Sequence, residues 1–175
     1  MKHLITALVS IALLTTALPA NATEIAVVNI QKIMKDSKAA NTIRSQVQAK
    51  QKTYQAELDK KEKALQQEDQ ELAKQRNVLS QDAFKKKYTE FRQKAMTAQQ
   101  EVRVKRSKLE KGLAKALGDI QKKVTSIVES ISKEKGYDIA ISGNLVLYTS
   151  AKQDITDEVL GRLNKELPNV SVKFD

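Results

Sequence analysis

Residues 84–131 read FKKKYTEFRQKAMTAQQEVRVKRSKLEKGLAKALGDIQKKVTSIVESI, and the spacing of their apolar side chains decides the fold. Phe84, Tyr88, Phe91, Ala95, Ala98, Val102, Leu109, Leu113, Leu117, Ile120, Val124, Ile127 and Ile131 follow one another in steps of three, four or seven. No proline interrupts them, so the stretch predicts one long helix with a coiled-coil seam. Two consecutive steps of four, Leu109 to Leu113 to Leu117, form a stutter that locally unwinds a supercoil. Gly112 and Gly118 fall in the same region. Each costs about 1 kcal/mol relative to Ala inside a helix. Two readings stay open for them: a compliant joint in the arm, or close packing over small residues.

Upstream, Val47, Tyr54, Leu58, Leu65, Leu72 and Leu79 recur at four- and seven-residue intervals, while Lys61, Glu68 and Gln75 occupy the other seam positions. This second helix, expected over residues 31–77, is apolar along a thinner stripe. Neither helix carries enough apolar surface to be buried all round, but each covers the other's stripe in an antiparallel pair. The reversal falls near 77–82, where the seam lapses and Ser80 is placed to cap the returning helix, residues 81–135. A helix of 47 residues rises about 70 Å at 1.5 Å per residue, beyond the span of a compact domain of this length. The hairpin is therefore an arm that projects.

Strand patterns flank the arm. Ile25-Ala26-Val27-Val28 is apolar on both faces, and Tyr137-Asp138-Ile139-Ala140-Ile141 follows Gly136, a C-cap for the long helix. A turn at Gly143-Asn144 predicts a hairpin whose second strand is Leu145-Val146-Leu147-Tyr148. Asp154 then caps a short helix through Leu167, with Asp157 and Glu158 at the favourable end of its dipole. Pro168 stops it, and Val170, Val172 and Phe174 alternate as an edge strand would. The predicted class is α+β: a long antiparallel helical hairpin, residues 31–135, on a small β-rich body made of residues 23–30 and 136–175. A body of about 50 residues without disulfide or metal seldom closes its own core. It is expected to oligomerise through Ile25, Val27, Val28, Ile139, Ile141, Leu145 and Leu147.

The first 22 residues carry a different signature. Met1-Lys2-His3 gives a basic start, Leu4 to Leu18 an apolar stretch, and Ala20-Asn21-Ala22 a small-x-small cleavage pattern. They predict a secretory signal peptide, too short to serve as a spanning helix. The chain has no Cys and no Trp, and its one histidine is His3. A mature chain without imidazole or thiol is closed to most nucleophilic and zinc chemistry. No phosphate-binding or metal-spacing motif appears, and no cofactor or metal is expected. Asp154, Thr156, Asp157 and Glu158 are read as capping residues, not catalytic ones.

Charge is divided unevenly. Residues 31–135 hold 26 Lys and Arg against 14 acidic residues, a net of +12, while the rest of the mature chain holds four against seven, a net of −3. A basic arm on a mildly acidic body implies an anionic partner along the arm: nucleic acid, lipid headgroups or acidic polypeptide. Export argues against a physiological nucleic acid, and the aromatics Tyr54, Phe84, Tyr88 and Phe91 fall on the seam instead of forming a stacking platform.

The exported chain, the strand Ile25-Ala26-Val27-Val28-Asn29, the long basic hairpin, and the closing blocks Tyr137-Asp138-Ile139-Ala140-Ile141, Val146-Leu147-Tyr148 and Asp154-Ile155-Thr156-Asp157-Glu158-Val159-Leu160 together resemble the Skp/OmpH family of periplasmic chaperones. The resemblance covers nearly the whole mature chain and is most specific in the closing block. It implies a periplasmic homotrimer whose small sheets join as a central body, with three hairpins around a cavity that holds unfolded outer-membrane β-barrel proteins without ATP. It also implies a lipopolysaccharide or anionic-lipid contact through a basic patch, whose nearest equivalent here is Lys94, Arg103, Lys105 and Arg106. The tail from Pro168 to Asp175 extends past the end of the family's simplest members. Within the arm, Val78, Leu79, Met96 and Val104 are apolar side chains off the seam or at the reversal and are the expected client contacts. The rival readings are a structural coiled-coil spacer of the envelope, which calls for a fuller seam than Lys61, Glu68 and Gln75 allow, and a lipid or lipopolysaccharide binder.

Overall fold

The computed structural model describes residues 23–175; the expected signal peptide lies outside them. The chain runs through strand β1 (Ile25–Val28), helix α1 (Ile30–Asp36), helix α2 (Lys38–Gln75), helix α3 (Gln81–Lys135), strand β2 (Ile139–Ser142), a 3-10 turn (Gly143–Leu145) and helix α4 (Thr156–Glu166). Helices α2 and α3 form the antiparallel arm. Ser80 caps α3 by accepting the Ala83 N–H (3.4 Å), and the helix runs unbroken to Gly136, whose left-handed φ of 75° closes it. Cap and stop are therefore where local sequence chemistry places them.

The ascending helix is not continuous. Ser37 leaves helical geometry (ψ 145°) and its hydroxyl accepts the Ala40 N–H, ending α1 and starting α2. Serine competes for backbone donors in this way, and here Asn164 of α4 joins in by accepting the Lys38 N–H at 2.8 Å. The bend lets α1 lie against α4, where Lys32 pairs with Asp157 at 2.5 Å.

The sheet also departs from expectation. Strand β2 pairs parallel to β1, Ile25 opposite Ile139 through Val28 opposite Ser142, with the whole arm as the crossover between them. The predicted hairpin between β2 and Leu145–Tyr148 does not form within the chain. A two-residue hairpin turn needs positive φ, and among the described residues only Gly136 has it. Gly143 instead packs against Asn29 and opens the 3-10 turn. The other edge of β1 is filled by the approach to α4: the Val27 N–H donates to Gln153 O (2.7 Å) and the Ile155 N–H to Val27 O (3.0 Å). A strand with neighbours on both sides and helices over it is buried, as its continuous apolar run requires.

One core crosses the expected boundary between arm and body. Ile33, Ile43, Ile120, Ile131, Val159 and Leu163 are its largest fully buried members, so the body recruits the proximal arm to close itself. The size argument for assembly thus loses force, and any case for oligomers must rest on exposed surface. The tail, Pro168 to Asp175, is not a strand. It runs back over the arm base with Val170 and Val172 in the core and Phe174 packed against it.

An ionic clasp ties α4 to the end of α3. Arg162 grips Glu134 through both nitrogens (2.7 and 2.5 Å) and reaches Glu158 at 2.8 Å, while Lys135 closes on Glu158. Hydrogen bonds from Arg162 and then Ser130 hold the Glu134 carboxyl well below its ordinary 4.5, at about 2. A carboxylate whose pKa is depressed by folding contributes stability above its ordinary pKa and loses it as pH falls toward the folded value. The stability gap between the chain and an Arg162→Gln variant should therefore be full at pH 6 and shrink steadily from about 4.5 down to 2. Urea midpoints read across that range check it.

Candidate functional site

Burial divides the arm in two. In α3 every buried residue lies at or beyond Gly112, and none lies between Gln81 and Lys111; in α2, beyond Ile43, only Tyr54 and Leu72 are buried. Tyr54 plugs the seam where the core ends, with Lys50 and Lys105 over its ring at 4.8 and 4.5 Å. Beyond it the helices are joined mainly by polar rungs. Glu57 meets Lys105, Lys61 meets Glu101, Glu68 meets Lys94 (2.7 Å) and Gln75 meets Lys87 (2.8 Å). Forward steps of four, seven and seven along α2 match equal backward steps along α3, an antiparallel heptad register. Exposed pairs of this kind contribute at most about 1 kcal/mol each, so the rungs set register more than they stabilise.

Polar groups in seam positions leave the distal seam incompletely closed. Leu58, Leu65, Phe91, Ala95, Ala98 and Val102 line an open groove of about 550 Å³ between the helices, and Val102 is 46% exposed. Lys61, Glu62, Gln66, Asp69 and Gln99 border this apolar strip with charge of both signs. Of the expected client contacts, Val78 and Met96 are exposed at 81% and 60%, Val104 is exposed, and Leu79 is half-buried. They are scattered from the tip to mid-arm and do not meet. By sequence the groove residues read as helix-pairing positions. Their signal was present, since Lys61, Glu68 and Gln75 at seam positions imply a seam too polar to close over them.

The four basic-patch residues do not converge. Lys94 and Lys105 turn inward to Glu68 and Glu57, and Arg106 pairs with Glu110 on its own helix (2.8 Å). Arg103, nine residues from Lys94, leaves α3 on about the opposite side and makes no ion pair among the described residues. Of the two glycines, Gly118 is open, whereas a Cβ on Gly112 would lie 2.5 Å from the Lys173 carbonyl oxygen. Gly112 thus has a packing reason, the passage of the tail.

In the body, Val27 and Val28 are buried and Ile25 and Ile141 partly so, but Ile139 is exposed and Leu145, Leu147 and Tyr148 are almost free at 78%, 108% and 85%. Here lies the most exposed run of large apolar side chains outside the arm. The acidic group around α4 is structural throughout. Asp154 accepts the Thr156 N–H, Thr156 accepts the Asn29 N–H, Asp157 holds Lys32 and Glu158 holds Lys135 and Arg162.

A long helical hairpin with a loosely closed distal seam, rooted in a small parallel sheet, defines an α+β arm protein. The chain belongs to the OmpH-like family, described as outer membrane protein (OmpH-like), which matches residues 24–163. It is 30% identical over 167 residues to the chaperone protein Skp of Yersinia enterocolitica, covering 91% of this chain and 96% of that one. Its fold resembles the crystal structure of an OmpH-like outer membrane chaperone from Caulobacter crescentus, with a TM-score of 0.80 at 16% identity, across 87% of this chain and 90% of the other. Among the described residues no helix is long and apolar enough to cross a membrane, and no cluster of side chains has the makings of a metal site.

Proposed function

We propose that the chain is an ATP-independent periplasmic holdase that keeps unfolded outer-membrane β-barrel proteins from aggregating on their way to the outer membrane. The observation that carries this reading is the distal arm: an apolar groove left open by polar rungs, on a hairpin of net charge +12. A holdase must shield apolar segments without gripping any one of them. Half-buried side chains with few fixed partners give weak, dispersed contacts, and Lys and Arg stems cover apolar client surface while their charges stay wet. The net charge supplies long-range attraction for anionic clients and weakens with salt. Membership of the family and the Yersinia relative's name support the same role.

Assembly completes the picture. In this reading the Leu145–Tyr148 segment adds to the sheet of a second copy, joining three bodies into a homotrimer with three arms around a shared cavity; the exposure of Leu145, Leu147 and Tyr148 supports it. The geometry favours neither rival. A spacer gains nothing from an unfilled seam, and a lipopolysaccharide site built on Lys94, Arg103, Lys105 and Arg106 finds three of the four already paired.

The test dilutes a urea-unfolded outer-membrane β-barrel protein into the purified chain and follows light scattering. Suppression near one assembly per client, weaker at high salt, is the expected result. A folded oligomer that leaves scattering unchanged at either salt would remove the holdase reading and leave the fold alone.

A further inference from the structure

The tail that crosses the arm base lies beyond residue 163, where the family match ends. It is held the way a peptide is held. Gln46 donates from Nε2 to the Val170 carbonyl (2.7 Å) and accepts at Oε1 from the Val172 N–H (3.0 Å), so one side chain satisfies the backbone on both sides of Ser171. Val170 and Val172 point into the core while Asn169, Ser171 and Lys173 stay exposed. Phe174 comes next in the alternation, with Lys50 at 5.9 Å from its ring. Only a glycine at 112 lets the Lys173 carbonyl approach α3 this closely.

These are the elements of extended-peptide recognition: main-chain hydrogen bonds that ignore sequence, and pockets for every second side chain. We infer that the cleft between α2 and α3 at the arm base is a binding groove for extended segments with alternating apolar side chains, and that residues 168–175 occupy it in cis. The ligand class is an unfolded β-strand segment, because strands of outer-membrane barrels alternate apolar and polar residues in this way. That assignment rests on the proposed function, whereas the groove itself does not. The tethered tail is a resident competitor that such segments displace, so the base of the arm would engage clients only when the tail is lifted.

The probe is a fluorescein-labelled peptide, Pro-Asn-Val-Ser-Val-Lys-Phe, followed by anisotropy against the full mature chain and its Val170→Ser/Val172→Ser variant. A tail in place nine-tenths of the time lowers apparent affinity about tenfold, so the variant should bind the peptide about tenfold more tightly than the unsubstituted chain. Adding Gln46→Ala to the variant should cancel the gain, as should replacing both valines of the peptide by serine. Equal weak binding to chain and variant, or binding indifferent to Gln46→Ala, would overturn the inference. If the variant does not fold, the unsubstituted chain decides. Excess unlabelled peptide should speed hydrogen exchange of the Val172 amide, and unchanged protection counts against the groove. Peptide binding without suppression of client aggregation would sink the holdase reading and leave the groove standing.

Discussion

Replacing both Leu145 and Leu147 by Ser is expected to dissociate the proposed homotrimer into monomers at micromolar concentration. In the single chain these side chains are 78% and 108% exposed, beside an equally bare Tyr148, and they follow directly on β2. Nothing within the chain rewards that exposure. Burying a leucine removes about 1.5–3 kcal/mol of unfavourable exposure, so losing two per interface weakens each contact by about 3–6 kcal/mol. That is roughly a hundred- to ten-thousandfold in association. Both positions lie outside the core, so helix content should be retained. Sedimentation velocity of the unsubstituted chain and the double variant checks this: an unchanged sedimentation coefficient would move the interface elsewhere.

Ile131→Ala should cost about 2–5 kcal/mol of stability, while Leu65→Ala should cost well under half as much. Ile131 is fully buried, in one core with Ile33, Ile120 and Leu163, and truncation there opens a cavity between α3 and the body. Leu65 lines the open groove and is only half-buried, so its truncation loses contact area without enclosing a void. The two costs measure the two zones of the arm, a base that holds the molecule together and a distal half that does little for stability. Urea unfolding at equilibrium reads both. Equal losses would mean that the distal seam closes in solution and that no groove is available to a client.

Much of this was legible in the residues. The three-four spacing through Ile131 fixed the long helix, and Ser80 and Gly136 its two ends, because caps and seams are local chemistry. Three features were not. The break at Ser37 depends on Asn164, more than a hundred residues away, reaching the Lys38 N–H. The parallel pairing of β1 with β2 depends on a crossover the length of the arm, while Gly143-Asn144 carries the local look of a hairpin turn. The tail's alternation was visible, but its partner was a glutamine side chain on α2 instead of a strand edge. At the candidate site, the sequence points to Met96 and Val104 as apolar residues off the seam and to Val78 and Leu79 at the reversal. The structure shifts attention to the seam itself, because partial closure is a property of two helices together and no single stripe displays it.

Site-specific photo-cross-linking tests the central claim most directly. A benzophenone side chain placed at Val102, on the distal groove, or at Lys165, on the outer face of the body, is irradiated with a bound unfolded β-barrel client. Cross-links to the client from position 102 and few from 165 are the expected result. Cross-links from the body alone, or equally from both, would contradict an arm that does the holding.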